Sequence, residues 1–480
     1  MVGTGAEYAA AMVLAVVLGR SLGPAAYGLL PLAMSVADIP RTIALSGFGT
    51  SLVRSVAAIR AKEPVPRSLL RDGALLVLGS SAVAAAALWL LADQIARVFG
   101  QPALAGLMRP MAILVFAAGF VSLASSMLQG YSEVREMSQM LTLVSILRLV
   151  LAIGLAIGLG LSIAGAAWGN ALAYLIVGTV AAAIFAQRWA ASARGGASYF
   201  RQVSGYSVPL LASWFAAYGV SRVDMIFVGY FVRNVSQIAF FSIATAMAAV
   251  PFILVQATAT ALSPVVTGLH AAGDRDRLQR LYVISQRAML LTFLPISAVA
   301  FFGATPVLRL LLPQYLPSAP YVQLLSLSFA IRAMGGIASG AFFLPMGRAA
   351  DVARFTAVGA TFNVALDVLL IPLLGAMGSV IGTVLVMSSL NGYALLRVRD
   401  RLELNGLQRT YCLKAVAGAT AMVLTMGVGT LGLRAIPFDI GGWLAIAAGL
   451  GVYVGVAWLW GLVSAEDVGA LRAAFSRAIA

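Results

Sequence analysis

The feature that most constrains this chain is a succession of uninterrupted apolar stretches, most of them close to twenty residues long. A helix of that length crosses the ~30 Å hydrocarbon core of a bilayer. In the first half the stretches are Val2–Leu18, Tyr27–Val53, Gly73–Ala92, Leu104–Leu128, Leu141–Leu161, Ile163–Phe185 and Val203–Val232. The second half adds Ile238–Leu262, Ala288–Leu308, Tyr321–Phe343, Phe355–Leu374, Ala376–Leu396, Ala415–Leu433 and Ile440–Val463. Barrel strands would alternate over ~10-residue segments with a polar lumen face, so these lengths predict helices. The expected fold is an all-α integral membrane protein with about 14 transmembrane helices and no sizeable soluble domain.

Composition then removes most chemistry. Of 480 residues, 61% are apolar and 10% charged, against ~25% charged in soluble domains. The single Cys412 and single His270 exclude an internal disulfide, a Cys/His zinc site and Cys–His catalysis. No catalytic residue, metal ligand or cofactor is therefore assigned. The net charge of +15 rests on 30 Arg and only Lys62 and Lys414. Loops after even-numbered spans, with the C-terminal tail, hold 22 of these basic residues; loops after odd-numbered spans hold 6, namely Arg20, Arg97, Arg109, Arg233, Arg309 and Arg434. The positive-inside rule places the first set and both termini in the cytoplasm. A basic rim facing anionic membrane lipids accounts for the charge without nucleic acid. No basic n-region or small-residue cleavage pattern precedes Arg20, so no removable signal peptide is expected. Val2–Leu18 is short and contains Glu7, which suggests omitted upstream residues.

An internal repeat divides the spans. Gly165-Ala-Ala-Trp-Gly169 and Gly378-Ser-Val-Ile-Gly382 open the sixth and twelfth spans at an offset of 213. Such small-xxx-small spacing lets helices approach closely. Pro40 with Pro251, Gly19 with Gly229, Thr142 with Thr356 and Gly130 with Gly347 fall near the same offset. Six helices per copy make the repeat parallel, an arrangement that in transporters places the substrate path between two lobes. The expected organisation is an N-lobe over 1–186, a cytoplasmic linker 187–202, a pseudo-symmetric C-lobe over 203–396, a cytoplasmic loop 397–412, and two further helices with the tail over 413–480.

Ionisable groups inside spans are costly unless they face a partner, a cavity or water. Asp38 and Arg41 are three apart on one helix face, a spacing that suits a mutually neutral pair or a shared polar site. Arg222 and Asp224 lie far along the seventh span, where snorkelling to the headgroups competes with a cavity role. Arg332 is central in the tenth span, too deep to reach either interface comfortably. Arg148 maps one position from Asn363 under the repeat offset, and Asp367 follows Asn363 by one turn. Arginines on helices of both lobes would attract anions, and the planar guanidinium suits phosphate. Asp274–Arg280, before the ninth span, reads as an amphipathic interfacial segment.

LGRSLGPAAYG at Leu18–Gly28, IPRTIALSGFGTSLVR at Ile39–Arg54, SVPLLASWFAAYGVSRVDMIFVGYF at Ser207–Phe231, FFSIA at Phe240–Ala244, DRDRLQRLY at Asp274–Tyr282 and TFNVALDVLLIPLLGAMGSVIGT at Thr361–Thr383 resemble one family. It is the polysaccharide flippase family of the multidrug/oligosaccharidyl-lipid/polysaccharide exporter superfamily, and the likeness covers roughly residues 8–400. The resemblance implies a two-lobed, fourteen-helix transporter that moves an undecaprenyl-diphosphate-linked oligosaccharide, as for O-antigen or exopolysaccharide, to the periplasmic leaflet by alternating access. It implies roles for Arg20, the basic residue after the first helix, for Arg41 and for Asp224; Arg148, Arg222 and Arg332 match no family motif. A coupling cation, H+ or Na+, belongs to the same expectation, with a glycan polymerase and glycosyltransferases as partners. Two other readings stand beside it. An ion-coupled drug or metabolite antiporter of the same superfamily would want a carboxylate-dominated cavity, whereas intramembrane Arg and acidic residues here are about equal. A membrane glycan polymerase or ligase would want a long outward loop, and none exceeds about 15 residues.

Overall fold

The computed structural model describes residues 2–60, 63–193, 197–205, 207, 223–432 and 440–462, with side chains left out at 2–9 and 43–46. Among them, eleven helices are long and apolar enough to cross a bilayer, or thirteen if two bent pairs each form one span. The expected seventh span falls largely on 208–222, outside the described residues, so a count of fourteen is not reached. No sheet is present among the described residues; the one β-bridge joins Pro66 to Ala193. Val83, Leu90, Leu396 and Trp458 are strongly exposed apolar side chains, as expected where the solvent is lipid.

The chain clusters into two compact units. The first comprises 1–242 with 371–376. It contains α1 (Val2–Tyr27), α2 (Leu29–Arg60), α3 (Arg67–Leu90), the short α4 (Ala92–Phe99), α5 (Ala103–Gly130), α6 (Val134–Ile153) with a π-helical turn over Gly154–Gly158, α7 (Ser162–Ala191), α8 (Val223–Phe231) and the start of α9 (Val235–Ala249). The most buried of these spans is α5, against which α2, α3 and α7 pack. Its carbon-rich side chains, among them Met108, Met111, Val115 and Met127, are almost fully withdrawn from solvent.

In α1 the helical path breaks at Gly23, whose φ of 72° is cheap only for glycine, and Pro24 follows without a backbone donor. Arg20 therefore lies inside α1, one turn before the break, rather than after the helix. Pro40 lies inside α2, whose halves Leu29–Thr42 and Gly47–Arg60 meet at 45°. The described part of segment 187–202 is strapped back onto the first unit. Arg67 donates to the Trp189 and Ala190 carbonyls at 3.0 Å each, and the Asp72 carboxylate accepts from Ser198 Oγ (2.9 Å) and Tyr199 N–H (2.8 Å).

The second unit comprises 243–370 with 377–480. It holds α10 (Phe252–Ala271), α11 (Arg275–Leu311), a 3₁₀ segment Pro313–Ser318, α12 (Ala319–Ser326), α13 (Phe329–Ile337) with a π-helical turn Ala338–Phe343, most of α14 (Ala349–Leu374) and α15 (Ala376–Leu402), α16 (Arg409–Gly432) and α17 (Ile440–Leu459). The long α11 packs against α12, α13, α16 and α17. Ala298, Met422, Met426, Ile446 and Tyr453 form one buried cluster there.

Two expectations are corrected here. The tenth span is not one helix over Tyr321–Phe343, because it bends by 50° between Pro313–Ser326 and Phe329–Phe343. At that bend Ser326 Oγ and Ser328 Oγ donate back to the Gln323 and Leu325 carbonyls (2.7 and 2.8 Å), competing with the backbone ladder. Asp274–Arg280 is not a separate interfacial segment either. Asp274 caps α11, accepting from the Arg277 N–H at 3.1 Å, and the basic residues that follow are the opening turns of that continuous helix.

Candidate functional site

Polar residues of α2, α6 and α7 meet inside the first unit. The Gly165-Ala-Ala-Trp-Gly169 pattern creates the meeting. A Cβ on Gly169 would sit 2.5 Å from the Ala152 backbone, and one on Gly165 would sit 2.5 Å from the Leu155 carbonyl oxygen. Only residues without a Cβ let α6 and α7 come this close. In the resulting antiparallel register, Arg148 of α6 faces Asn170 of α7, and Arg148 Nε donates to Asn170 Oδ1 at 2.8 Å. The Asn170 amide is spent in the other direction as well, its Nδ2 donating to the Ala166 carbonyl at 2.8 Å. Asn170 is fully buried, so its orientation is fixed by these two bonds.

Tyr174, one turn beyond Asn170 on the same face of α7, joins this pair to α2. Its ring lies beneath two guanidinium groups, with Arg41 Cζ 5.6 Å and Arg148 Cζ 5.9 Å from the ring centroid. Arg41 Nη2 also donates to the Tyr174 hydroxyl, at 3.4 Å. Arg41 Nη1 is bound to Asp38 Oδ1 at 2.9 Å, with both side chains about one-third exposed. The two readings of the Asp38/Arg41 spacing therefore coincide: the residues pair, and the pair sits in a shared polar site.

The charges in this site are unequal in their compensation. Arg41 is neutralised by Asp38. Arg148 is held by an amide and an aromatic ring, and among the described residues no carboxylate pairs with it. Glu7, one turn before Ala10 on α1, lies outside the described side chains. A small cavity lined by Ala10, Ala11, Leu14, Ser145 and Arg148 adjoins the guanidinium. A half-buried cation with neutral partners is the arrangement that keeps a guanidinium available to an anionic ligand.

The remaining candidates lie elsewhere. Arg20 is exposed on α1 and Asp224 is buried in the first turn of α8. Arg222 lies outside the described residues. In the second unit Arg332 opens α13 just past the bend, its Cζ 4.1 Å from the centroid of Phe252, which itself packs edge-on against Phe329 at 5.4 Å. Asn363 and Asp367, one turn apart on α14, are both fully buried. A Cβ on Gly382 of α15 would stand 3.7 Å from Asp367 Oδ1, which places the carboxylate beside the second small-residue motif. Among the described residues, no group of three or more His, Cys, Asp and Glu side chains is placed to hold a metal ion.

Sequence reasoning selected Asp38, Arg41 and Arg148 and missed Asn170 and Tyr174. Their signal was present. Asn170 directly follows the GAAWG motif inside an apolar span, and Tyr174 repeats its face one turn later.

The match to known proteins agrees with this architecture. Residues 1–270 match the family described as polysaccharide biosynthesis protein, and residues 209–369 match the MatE family. No curated protein matches the chain. Among solved structures, the lipid II flippase MurJ in an inward closed conformation superimposes with a TM-score of 0.77 at 13% identity, covering 95% of this chain and 97% of that one. An inward-facing multidrug resistance MATE family transporter of the MOP superfamily gives a TM-score of 0.68 at 17% identity, covering 83% and 94%. A MOP superfamily transporter from Pyrococcus furiosus, described as having a binding pocket of reverse polarity, gives 0.57 at 17% identity, covering 84% and 93%. These likenesses establish the fold, and the family match extends over more than half of the sequence. The chain thus belongs to the polysaccharide biosynthesis protein family.

Proposed function

We propose that this multi-pass membrane protein moves an undecaprenyl-diphosphate-linked oligosaccharide from the cytoplasmic to the periplasmic leaflet of the inner membrane by alternating access, leaving the glycan chemically unchanged. The observation that carries the reading is Arg148, a membrane-embedded guanidinium held only by Asn170 and Tyr174 among the described residues. A diphosphate crossing hydrocarbon faces a desolvation cost of many kcal/mol. Preplaced guanidinium groups in a wet cavity offset it by charge-assisted hydrogen bonds. Membership of a polysaccharide biosynthesis family and likeness in fold to a lipid II flippase both support a lipid-linked glycan as cargo. In this reading Arg41, already offset by Asp38, supplies a hydrogen-bond donor, and Arg332, Arg222 and Arg20 contribute further positive charge.

The second unit supplies the energy coupling in this proposal. Asp367 is a fully buried carboxylate with Asn363 one turn away, in a stretch that matches the MatE family. We assign the main H+ or Na+ exchange to this pair, with Asp224 of the first unit as a further carboxylate. The positive-inside bias puts both termini and the basic segments around Arg201 and Arg399 in the cytoplasm. Alkaline phosphatase fused after either residue should be inactive.

The direct test is reconstitution. Protein in sealed vesicles should render a lipid-linked oligosaccharide accessible from the opposite leaflet, and mass analysis should return the same molecule. Movement no faster than in protein-free vesicles would contradict the proposal, as would glycan lengthening or pyrophosphate cleavage dependent on this chain alone.

A further inference from the structure

A second polar site lies at one end of the first unit, where α2 and α7 finish and α5 turns into α6. A cavity of about 450 Å³ there is lined by Arg60, Glu63, Val65, Tyr131, Arg188 and Ser192 among others. That volume is within the range of small-ligand sites. Its walls are built. Ala193 N–H donates to the Val65 carbonyl at 3.1 Å, Arg67 N–H to the Ala193 carbonyl at 2.9 Å, and the Arg67 guanidinium holds the Trp189 and Ala190 carbonyls. Tyr131 carries two guanidinium groups near its ring, with Arg60 Cζ at 5.5 Å and Arg188 Cζ at 5.1 Å from the centroid.

The charges in this cavity are not alike in availability. Arg188 Nη2 donates to both carboxylate oxygens of Glu133 at 2.5 Å, so that cation is neutralised and locked in place. Arg60 and Glu63 remain, both exposed and not joined in an ion pair. With Arg188 neutralised by Glu133, a cavity that offers one open cation and one carboxylate is a poor match for a simple anion. It is a good match for a small zwitterion. Arg60 presents a planar fork to a phosphate, and Glu63 accepts hydrogen bonds from an ammonium.

We infer that this cavity binds a phosphoethanolamine group, carried by a lipid of the adjoining leaflet or by a soluble compound of the same chemistry. Its place at the ends of membrane-spanning helices is where lipid headgroups lie. The inference stands apart from the transport reading, since binding is measured without transport.

The test is native mass spectrometry of the full-length protein released from mixed membranes of phosphatidylethanolamine and phosphatidylglycerol. Wild type should retain phosphatidylethanolamine over phosphatidylglycerol by about tenfold, the scale of one charge-assisted contact. Glu63→Gln should erase that preference, Glu63→Asp should keep part of it, and Arg60→Gln should lower retention of both lipids. Release of the bound lipid by added phosphoethanolamine identifies a soluble ligand of the same chemistry; retention against it identifies the lipid. Equal retention of the two lipids by wild type, or an unchanged phosphatidylethanolamine preference in Glu63→Gln or an unchanged retention in Arg60→Gln, overturns the inference. Both substituted residues are exposed, and an unchanged melting temperature checks that the fold is intact.

Discussion

Two helix hairpins occupy corresponding places in the sequence repeat, α6–α7 and α14–α15, and the ionisable group each holds beside its small-residue motif is of opposite sign. Each has a small-residue motif at the start of its second helix, Gly165 to Gly169 in one and Gly378 to Gly382 in the other. In the first, close approach brings the Arg148 cation against a neutral amide and a tyrosine ring. In the second, the motif lies beside Asp367, a fully buried carboxylate. In the proposed function this scaffold, used twice, serves an anion in the first hairpin and a cation in the second. That division is what a carrier coupling an anionic cargo to a cation would need.

The comparison breaks most readily at Arg148. Arg148→Gln should reduce glycan export in cells by roughly 10- to 100-fold, the value of charged hydrogen bonds, while membrane levels of the protein hold. Arg148→Lys should restore export only in part, because an ammonium lacks the planar fork. Asp367→Asn should come next, lowering export by about tenfold and abolishing its dependence on an imposed H+ or Na+ gradient, a carboxylate being the group that exchanges either ion. A gradient response equal to wild type would remove Asp367 from coupling.

The two small-residue motifs differ in tightness, and that difference can be measured separately. Gly169→Ala drives a Cβ to 2.5 Å from the Ala152 backbone, whereas Gly382→Ala meets Leu366 Cβ at 3.4 Å. Thermal unfolding in detergent should show a loss of about 1–3 kcal/mol for the first and a change below about 1 kcal/mol for the second. Similar losses would show that the hairpins pack alike. The smallest effect belongs to the Asp38–Arg41 pair. With both side chains about a third exposed, a double-mutant cycle should return a coupling of about 1 kcal/mol or less.

These residues also show what the sequence discloses and what it withholds. Span positions are legible because a bilayer imposes one length on every helix, and Asp38–Arg41 is legible because a three-residue spacing fixes their relative direction within one helix. The bends at Gly23 and at Leu327–Ser328 escape a hydropathy reading, since apolarity continues through them. The Arg148–Asn170 bond escapes for a different reason. The glycines announce that two helices approach, but the residues that face each other depend on the register between them, and helices apolar on every side give no sign of which face turns inward. Arg332 shows the cost: read as mid-span in an unbroken helix, it instead follows a bend and rests on Phe252.

The central claim is that the first hairpin selects an anion through Arg148. The most direct measurement is the affinity of purified protein for two ligands that differ only in charge, an undecaprenyl-diphosphate-linked glycan and the same glycan on an uncharged polyprenyl carrier. Wild type should favour the diphosphate by at least about tenfold, and Arg148→Gln should bind the two nearly alike. If Arg148→Gln keeps the wild-type preference, the anion is read elsewhere and the account of this site is wrong.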